Sequence, residues 1–61
     1  MEAPDLLIGK ARDYEVLAAW YAERAALEPG AQHLATATAF TVAAIILREV
    51  AAALDGFEAA A

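Results

Sequence analysis

Glu28-Pro29-Gly30 interrupts a chain that is otherwise rich in helix-forming residues. A proline pushes the preceding residue out of the α-helical region, and glycine readily adopts positive φ. The sequence therefore predicts a helix from about residue 4 to 27, a turn over 28–30 and a second helix from about 31 to 55. Because a loop this short makes consecutive helices antiparallel neighbours, we expect an all-α two-helix hairpin. Residues 1–61 would form one domain.

Proline and glycine also mark the ends of the two predicted helices. Pro4 suits the first turn of helix 1, where the missing N–H is not needed. Gly9 is the weak point of that helix, so residues 5–8 are expected either to join it or to form a separate short turn. Gly56 is expected to end helix 2, and residues 58–61 are expected to form a frayed tail.

The composition favours a small helical protein that is stabilised by association. Alanine, the strongest helix former, fills 19 of the 61 positions. The chain has no cysteine and a single histidine, which excludes disulfides and makes a structural zinc site unexpected. Chains of this size usually need disulfides, a metal or oligomerisation for stability. Oligomerisation is therefore the expected support, and no cofactor is expected.

The charge balance argues against nucleic acid as a partner. The net charge is −5, whereas phosphate backbones are bound by clustered lysine and arginine. The cations are Lys10, Arg12, Arg24 and Arg48. The acidic start of the chain lacks the basic region of a secretory signal, so we expect a cytoplasmic location.

Both predicted helices carry residues at the alternating three- and four-residue spacing of a heptad seam. In helix 1 the row is Leu7, Ala11, Tyr14, Ala18, Tyr21 and Ala25. In helix 2 the row is His33, Thr36, Phe40, Ala43, Leu47, Val50, Leu54 and Phe57. We expect the two rows to face one another, with large side chains against alanines. The main predicted seam residues are Tyr14, Tyr21, Phe40, Leu47, Val50 and Leu54.

Further apolar residues lie on the outer sides of both helices. On helix 1, Val16, Trp20 and Leu27 lie together, and a second face of helix 2 comprises Ala35, Ala39, Val42, Ile46 and Ala53. The main predicted interface residues are Val16, Trp20, Leu27, Val42 and Ile46. A helix that is apolar on two sides is usually buried on two sides, and two helices cannot cover four apolar faces. We therefore predict that these five residues form an interface with a second copy or with a helical protein partner. A homodimer would complete a four-helix bundle.

The uncharged stretch Leu34–Leu47 (LATATAFTVAAIIL) raises the question of a membrane segment. A spanning helix needs about 20 consecutive apolar residues, and this stretch is shorter. The heptad spacing also continues past the charged pair Arg48-Glu49, as a bundle helix requires. Membrane insertion is therefore not expected.

The polar residues do not predict an active site. His33 is the one side chain of a type that titrates near neutrality, but the chain has no serine or cysteine for it to activate, so an enzyme is not expected. Lys10, Arg12 and Tyr14 lie on adjacent turns and offer an alternative, an oligomer that binds a small ligand or nucleotide between protomers. His33 itself is expected to be a ligand contact, a pH-sensitive interface residue, or simply a half-exposed residue at a helix start. No catalytic or metal-binding residue is predicted.

The plan is similar to that of the Rop-type plasmid copy-number proteins, short two-helix hairpins that dimerise into bundles. This resemblance implies the architecture alone. Rop-type RNA binding uses polar and basic residues on one bundle face, whereas this chain is acidic. The segment ILREVAAAL (Ile46–Leu54) also resembles small hairpin co-chaperones of type III secretion needle subunits. That resemblance implies a further alternative, a chaperone-like hairpin subunit of a secretion or regulatory complex.

Overall fold

Two long helices make up the computed structural model, which describes residues 3–60. Helix α1 spans Ala3–Leu27 and helix α2 spans His33–Ala60. The helices pack against each other along their length, giving a flat rod with extents of 50 × 17 × 10 Å. The predicted all-α two-helix hairpin is confirmed.

The turn between the helices is held by backbone hydrogen bonds and one glycine. The Glu28 N–H donates to the Arg24 carbonyl at 2.8 Å, which closes the last turn of α1. Gly30 then adopts a φ of 97°, a left-handed conformation that only glycine reaches at little cost. The Ala31 N–H donates back to the Glu28 carbonyl at 3.3 Å. The chain thus reverses direction within a few residues, and α2 starts at His33.

Both helices run through the glycines that were expected to weaken or end them. Residues 5–8 belong to α1, which continues through Gly9 without a break. Helix α2 likewise continues through Gly56 to Ala60, because the residues after this glycine include glutamate and alanine, both good helix formers. The expected frayed tail is therefore helical over 58–60, and Ala61 lies outside the described residues.

Small side chains form the centre of the seam. Within residues 3–60 the buried positions are Pro4, Ala11, Ala18, Ala37, Ala44 and Ala51. They recur every seven residues on each helix, as one side of a heptad seam should. Alanine at the contact lets two helix backbones approach closely. The same part of the chain holds no fully buried large side chain, so the hairpin alone has a very thin core.

Larger residues lie half-buried beside the alanines. On α1 these are Leu7, Ile8, Tyr14 and Tyr21, and on α2 they are His33, Phe40, Leu47 and Leu54. On α2 the alternate positions of the predicted row move by one residue, because the buried side chains are Ala37, Ala44 and Ala51 and not Thr36, Ala43 and Val50. The alanine at position 51 is buried there, whereas Val50 is 44% exposed and Phe57 is 76% exposed. The close approach of the backbones favours alanine at the centre and places Val50 on the flank.

Candidate interaction surface

Aromatic side chains connect the two helices in the half of the hairpin nearer the turn. The Phe40 ring lies between two tyrosines, with centroid distances of 5.5 Å to Tyr14 and 5.7 Å to Tyr21. The Tyr21 ring also lies 5.8 Å from the His33 imidazole. Distances in this range are typical of favourable aromatic pairs. The predicted seam residues Tyr14, Tyr21 and Phe40 are thus brought together.

A second cluster links the end of α1 to the start of α2. Arg24 Nε forms an ion pair with Glu28 Oε2 at 3.1 Å, and His33 Nε2 lies 3.2 Å from the same oxygen. The Arg24 guanidinium lies 5.0 Å from the centre of the Trp20 ring, a cation–π distance. Trp20 in turn packs edge-on against Tyr21 at 4.9 Å. Trp20 is therefore held in place while about half of it remains exposed.

One ion pair crosses the middle of the hairpin. Arg48 on α2 donates to both carboxylate oxygens of Glu15 on α1, at 2.8 and 3.0 Å. The hydrogen bond from Arg48 lowers the pKa of Glu15 below its ordinary value of 4.5, and the positive charge of the guanidinium adds to the effect. Both side chains are exposed to solvent, so the pair orients the helices more than it stabilises them.

This ion pair identifies one broad side of the hairpin. Glu15 and Arg48 each follow a buried alanine, Ala11 or Ala44, by four residues. In an antiparallel pair, equivalent heptad positions flank the seam on the same side. Positions one residue before and two residues after a buried seam residue lie on the opposite side. We call that opposite side the apolar face, and it comprises Leu6, Leu17, Trp20, Leu27, Thr36, Ala39, Ala43, Ile46, Val50, Ala53 and Phe57.

The apolar face is large and carries few charges. Its seven large apolar side chains are between 39% and 76% exposed. The charged residues at these positions are Lys10, Asp13 and Arg24, all on α1, while the α2 half of the face is uncharged within the described residues. The hydroxyl of Thr36, its polar member on α2, donates to the Gln32 carbonyl at 3.0 Å and is satisfied close to its own helix. Exposed apolar patches are often found at interaction sites of soluble proteins, so this face is the candidate interaction surface.

The predicted interface residues fall into two groups. Trp20, Leu27 and Ile46 lie on the apolar face, whereas Val16 and Val42 lie on the outer edges of their helices, away from the seam. Val50, predicted for the seam, belongs to the apolar face as well. Sequence reasoning missed Leu6, Leu17 and Phe57 as members of this surface. The spacing between Leu17 and Trp20 was the available signal.

Within one hairpin, the three residues proposed for a ligand pocket do not line a common cavity. Tyr14 packs against Phe40 in the seam. Lys10 and Arg12 instead line a shallow depression on α1 together with the carboxylates of Asp5 and Asp13, and Tyr14 is not part of its lining. The depression is open to solvent and has acidic groups beside the basic ones, which does not favour an anionic ligand.

Other kinds of site find little support in the part of the chain that the structure covers. No cluster of three or more histidine, aspartate or glutamate residues that could hold a metal ion occurs within residues 3–60. Over the same range α2 is the one helix long and apolar enough to cross a membrane, judged by length and composition alone. Comparisons of the chain with protein-family models, curated proteins and solved structures found no match. The apolar face is therefore the strongest functional feature.

Proposed function

We propose that this protein is a non-enzymatic assembly module that works by self-association through the apolar face. The observation that carries the proposal is the contrast between the two sides of each helix. Within residues 3–60 the buried side chains are five alanines and one proline. The large apolar side chains that would normally form a core are on the surface instead. A second hairpin laid on the apolar face would turn the pair into a four-helix bundle with a proper core.

The energetics support the same conclusion. Ordering each residue costs about 1–2 kcal/mol in backbone entropy, and full burial of a large aliphatic or aromatic side chain returns roughly 1.5–3 kcal/mol. The isolated hairpin buries no such side chain completely in its described part. Covering the seven half-exposed side chains of the apolar face would add on the order of 1 kcal/mol for each of them. Association therefore supplies burial that folding of one chain does not.

A helical partner of different sequence would satisfy the same face, as a chaperone-like hairpin subunit would require. A lipid surface is an alternative partner for the apolar face, because α2 is long and apolar enough to span a bilayer, judged by length and composition. Self-association is favoured over lipid because the charged residues Lys10, Asp13 and Arg24 interrupt the α1 half of the face. Burying unpaired charges in hydrocarbon is costly. A solution-phase partner can offer them counter-charges.

Two neighbouring isoleucines provide a matched test. Ile45 and Ile46 have nearly identical exposures of 52% and 53%, but only Ile46 lies on the apolar face. We expect Ile46→Glu to convert the protein to monomers, because two carboxylates would be buried in the interface, whereas Ile45→Glu should leave the oligomer intact. Light scattering gives the mass, and circular dichroism checks the helix content. Equal effects of the two substitutions, or no effect of Ile46→Glu, would overturn the proposal.

A further inference from the structure

Helix α1 carries a second heptad row on the side of the apolar face. The row is Leu6, Lys10, Asp13, Leu17, Trp20, Arg24 and Leu27, spaced alternately four and three residues apart. This is the spacing of a helix–helix seam, and it is separate from the row that contacts α2. The first seam is closed within the chain, and the second faces outward, with Leu17 and Trp20 at its centre.

This outward row is complementary to a second, antiparallel copy of itself. Consider two α1 helices packed antiparallel. The axial alignment that places Leu17 opposite Trp20 of the other helix also places Asp13 opposite Arg24. Both contacts occur twice because the pair is symmetric. The same register sets Lys10 against Leu27 near the ends, where a lysine stem can cover apolar surface while its ammonium group stays in water. The charges on the row are thus complementary to a second copy of the same row.

Other arrangements leave the charges without partners. A shift by one heptad would place Asp13 opposite Leu17 and Lys10 opposite Trp20, so the charged groups would be desolvated without an ionic partner. A two-fold axis parallel to the helices would lay α1 on α2 of the other copy instead. The α2 half of the apolar face is uncharged within the described residues, and Asp13 and Arg24 would again be unmatched. Charge complementarity therefore selects α1 against α1.

In the single hairpin, Arg24 and Asp13 are both available for this contact. Arg24 uses its Nε to bind Glu28 at 3.1 Å and lies over the Trp20 ring. A guanidinium has five N–H donors, so both terminal nitrogens remain for a second carboxylate. Asp13 has no ion pair among the described residues. Arg24 is thus held beside Trp20, and its terminal N–H groups are available to a carboxylate from outside the hairpin.

Resting on the proposed self-association, we infer that the partner is a second copy of this chain, packed antiparallel with α1 against α1. Asp13 of each copy then binds Arg24 of the other, on either side of a centre made by Leu17 and Trp20. The two-fold axis lies across the helices, and the α2 halves of the two apolar faces meet each other. The charged pairs set the register, and the apolar side chains supply most of the affinity.

Charge reversal tests this register. Asp13→Lys and Arg24→Glu should each weaken self-association at least about tenfold, because two ion pairs are lost and like charges replace them. An equimolar mixture of the two variants should form a heterodimer, since both substituted side chains then meet each other across the pair as opposite charges. The double variant should also recover most of the wild-type affinity. Glu23→Lys, on the outer edge of α1, is the control and should leave the dimer unchanged.

The outcomes separate the register from the function. If the wild-type chain dimerises and neither reversal weakens the dimer, or the mixture shows no rescue, the α1–α1 register is overturned while self-association stands. If the wild-type chain is a folded monomer or enters lipid vesicles instead, self-association itself is overturned. Sedimentation measures the affinities, and circular dichroism confirms folding of each variant. Should Arg24→Glu fail to fold, the comparison of Asp13→Lys with Glu23→Lys still decides the case.

Discussion

Arg48 on α2 holds both oxygens of the Glu15 carboxylate on α1, at 2.8 and 3.0 Å. This contact joins residues that lie 33 positions apart in the chain. It lies on the side of the seam opposite the apolar face, so the two broad sides of the hairpin differ in surface chemistry. One side carries a charged link between the helices, and the other carries exposed apolar side chains. In the proposed self-association, the side with the ion pair is the one that stays in water.

The ion pair predicts a pH dependence of stability. The folded-state pKa of Glu15 is lowered below 4.5 by the Arg48 hydrogen bond. The stabilisation is therefore fully present above about pH 4.5 and is lost as the pH falls through the lower folded-state pKa. Glu15→Gln removes the titrating group, so the difference in unfolding free energy between wild type and variant should shrink from about pH 6 to about pH 3. Urea unfolding followed by circular dichroism measures it.

Glu23→Gln serves as the control, because Glu23 lies exposed on the same helix and forms no ion pair among the described residues. The same subtraction for this variant should be smaller than for Glu15→Gln. A Glu15→Gln difference that stayed constant across the acid range would contradict the role given to Arg48.

The alanine seam predicts intolerance of larger side chains. Ala44 is 1% exposed between the two helices. Ala44→Leu should destabilise the hairpin by about 1–3 kcal/mol, because the backbones would have to separate to admit the side chain. Ala35→Leu, at an exposed position of the same helix, should change the unfolding free energy by less than about 0.5 kcal/mol. Thermal or urea unfolding compares the two, and equal stabilities would show that the seam is loosely packed.

The glycines predict opposite effects for the same substitution. Gly30 has a φ of 97°, so Gly30→Ala should cost roughly 1 kcal/mol or more through backbone strain. Gly9 lies inside α1, and no neighbouring side chain comes within 4 Å of the position that an alanine Cβ would occupy there. Gly9→Ala should therefore stabilise the helix by about 0.5–1 kcal/mol. Urea unfolding measures both variants, and a gain in stability from Gly30→Ala would mean that the turn has another conformation in solution.

Sequence reasoning succeeded where the local signal was strong. Pro29 and Gly30 predicted the reversal of the chain, and the alternating alanines and tyrosines of α1 indicated which side faces α2. The row on α2 was harder to place, because that helix is apolar around most of its circumference. Rows through Val50 and through Ala51 both have heptad spacing. Hydrophobicity favours valine, but the close approach of the backbones favours alanine.

Contacts across the hairpin were beyond the reach of the sequence for a different reason. The Glu15–Arg48 pair depends on the register between α1 and α2, which spacing within one helix does not define. Leu17 is a different kind of miss, because its spacing from Trp20 on α1 could be read without the register between the helices. At Gly56 the local preference for a helix end was outweighed by the helix-forming residues that follow it.

Sedimentation equilibrium of the unmodified chain tests self-association most directly. The measurement should cover concentrations from the low micromolar range to about 100 µM, because a functional interface of this type is expected to saturate there. Self-association predicts a mass near twice 6.4 kDa, with helix content that falls as dimers dissociate. A fully helical, cooperatively unfolding species that stays at 6.4 kDa throughout would contradict it.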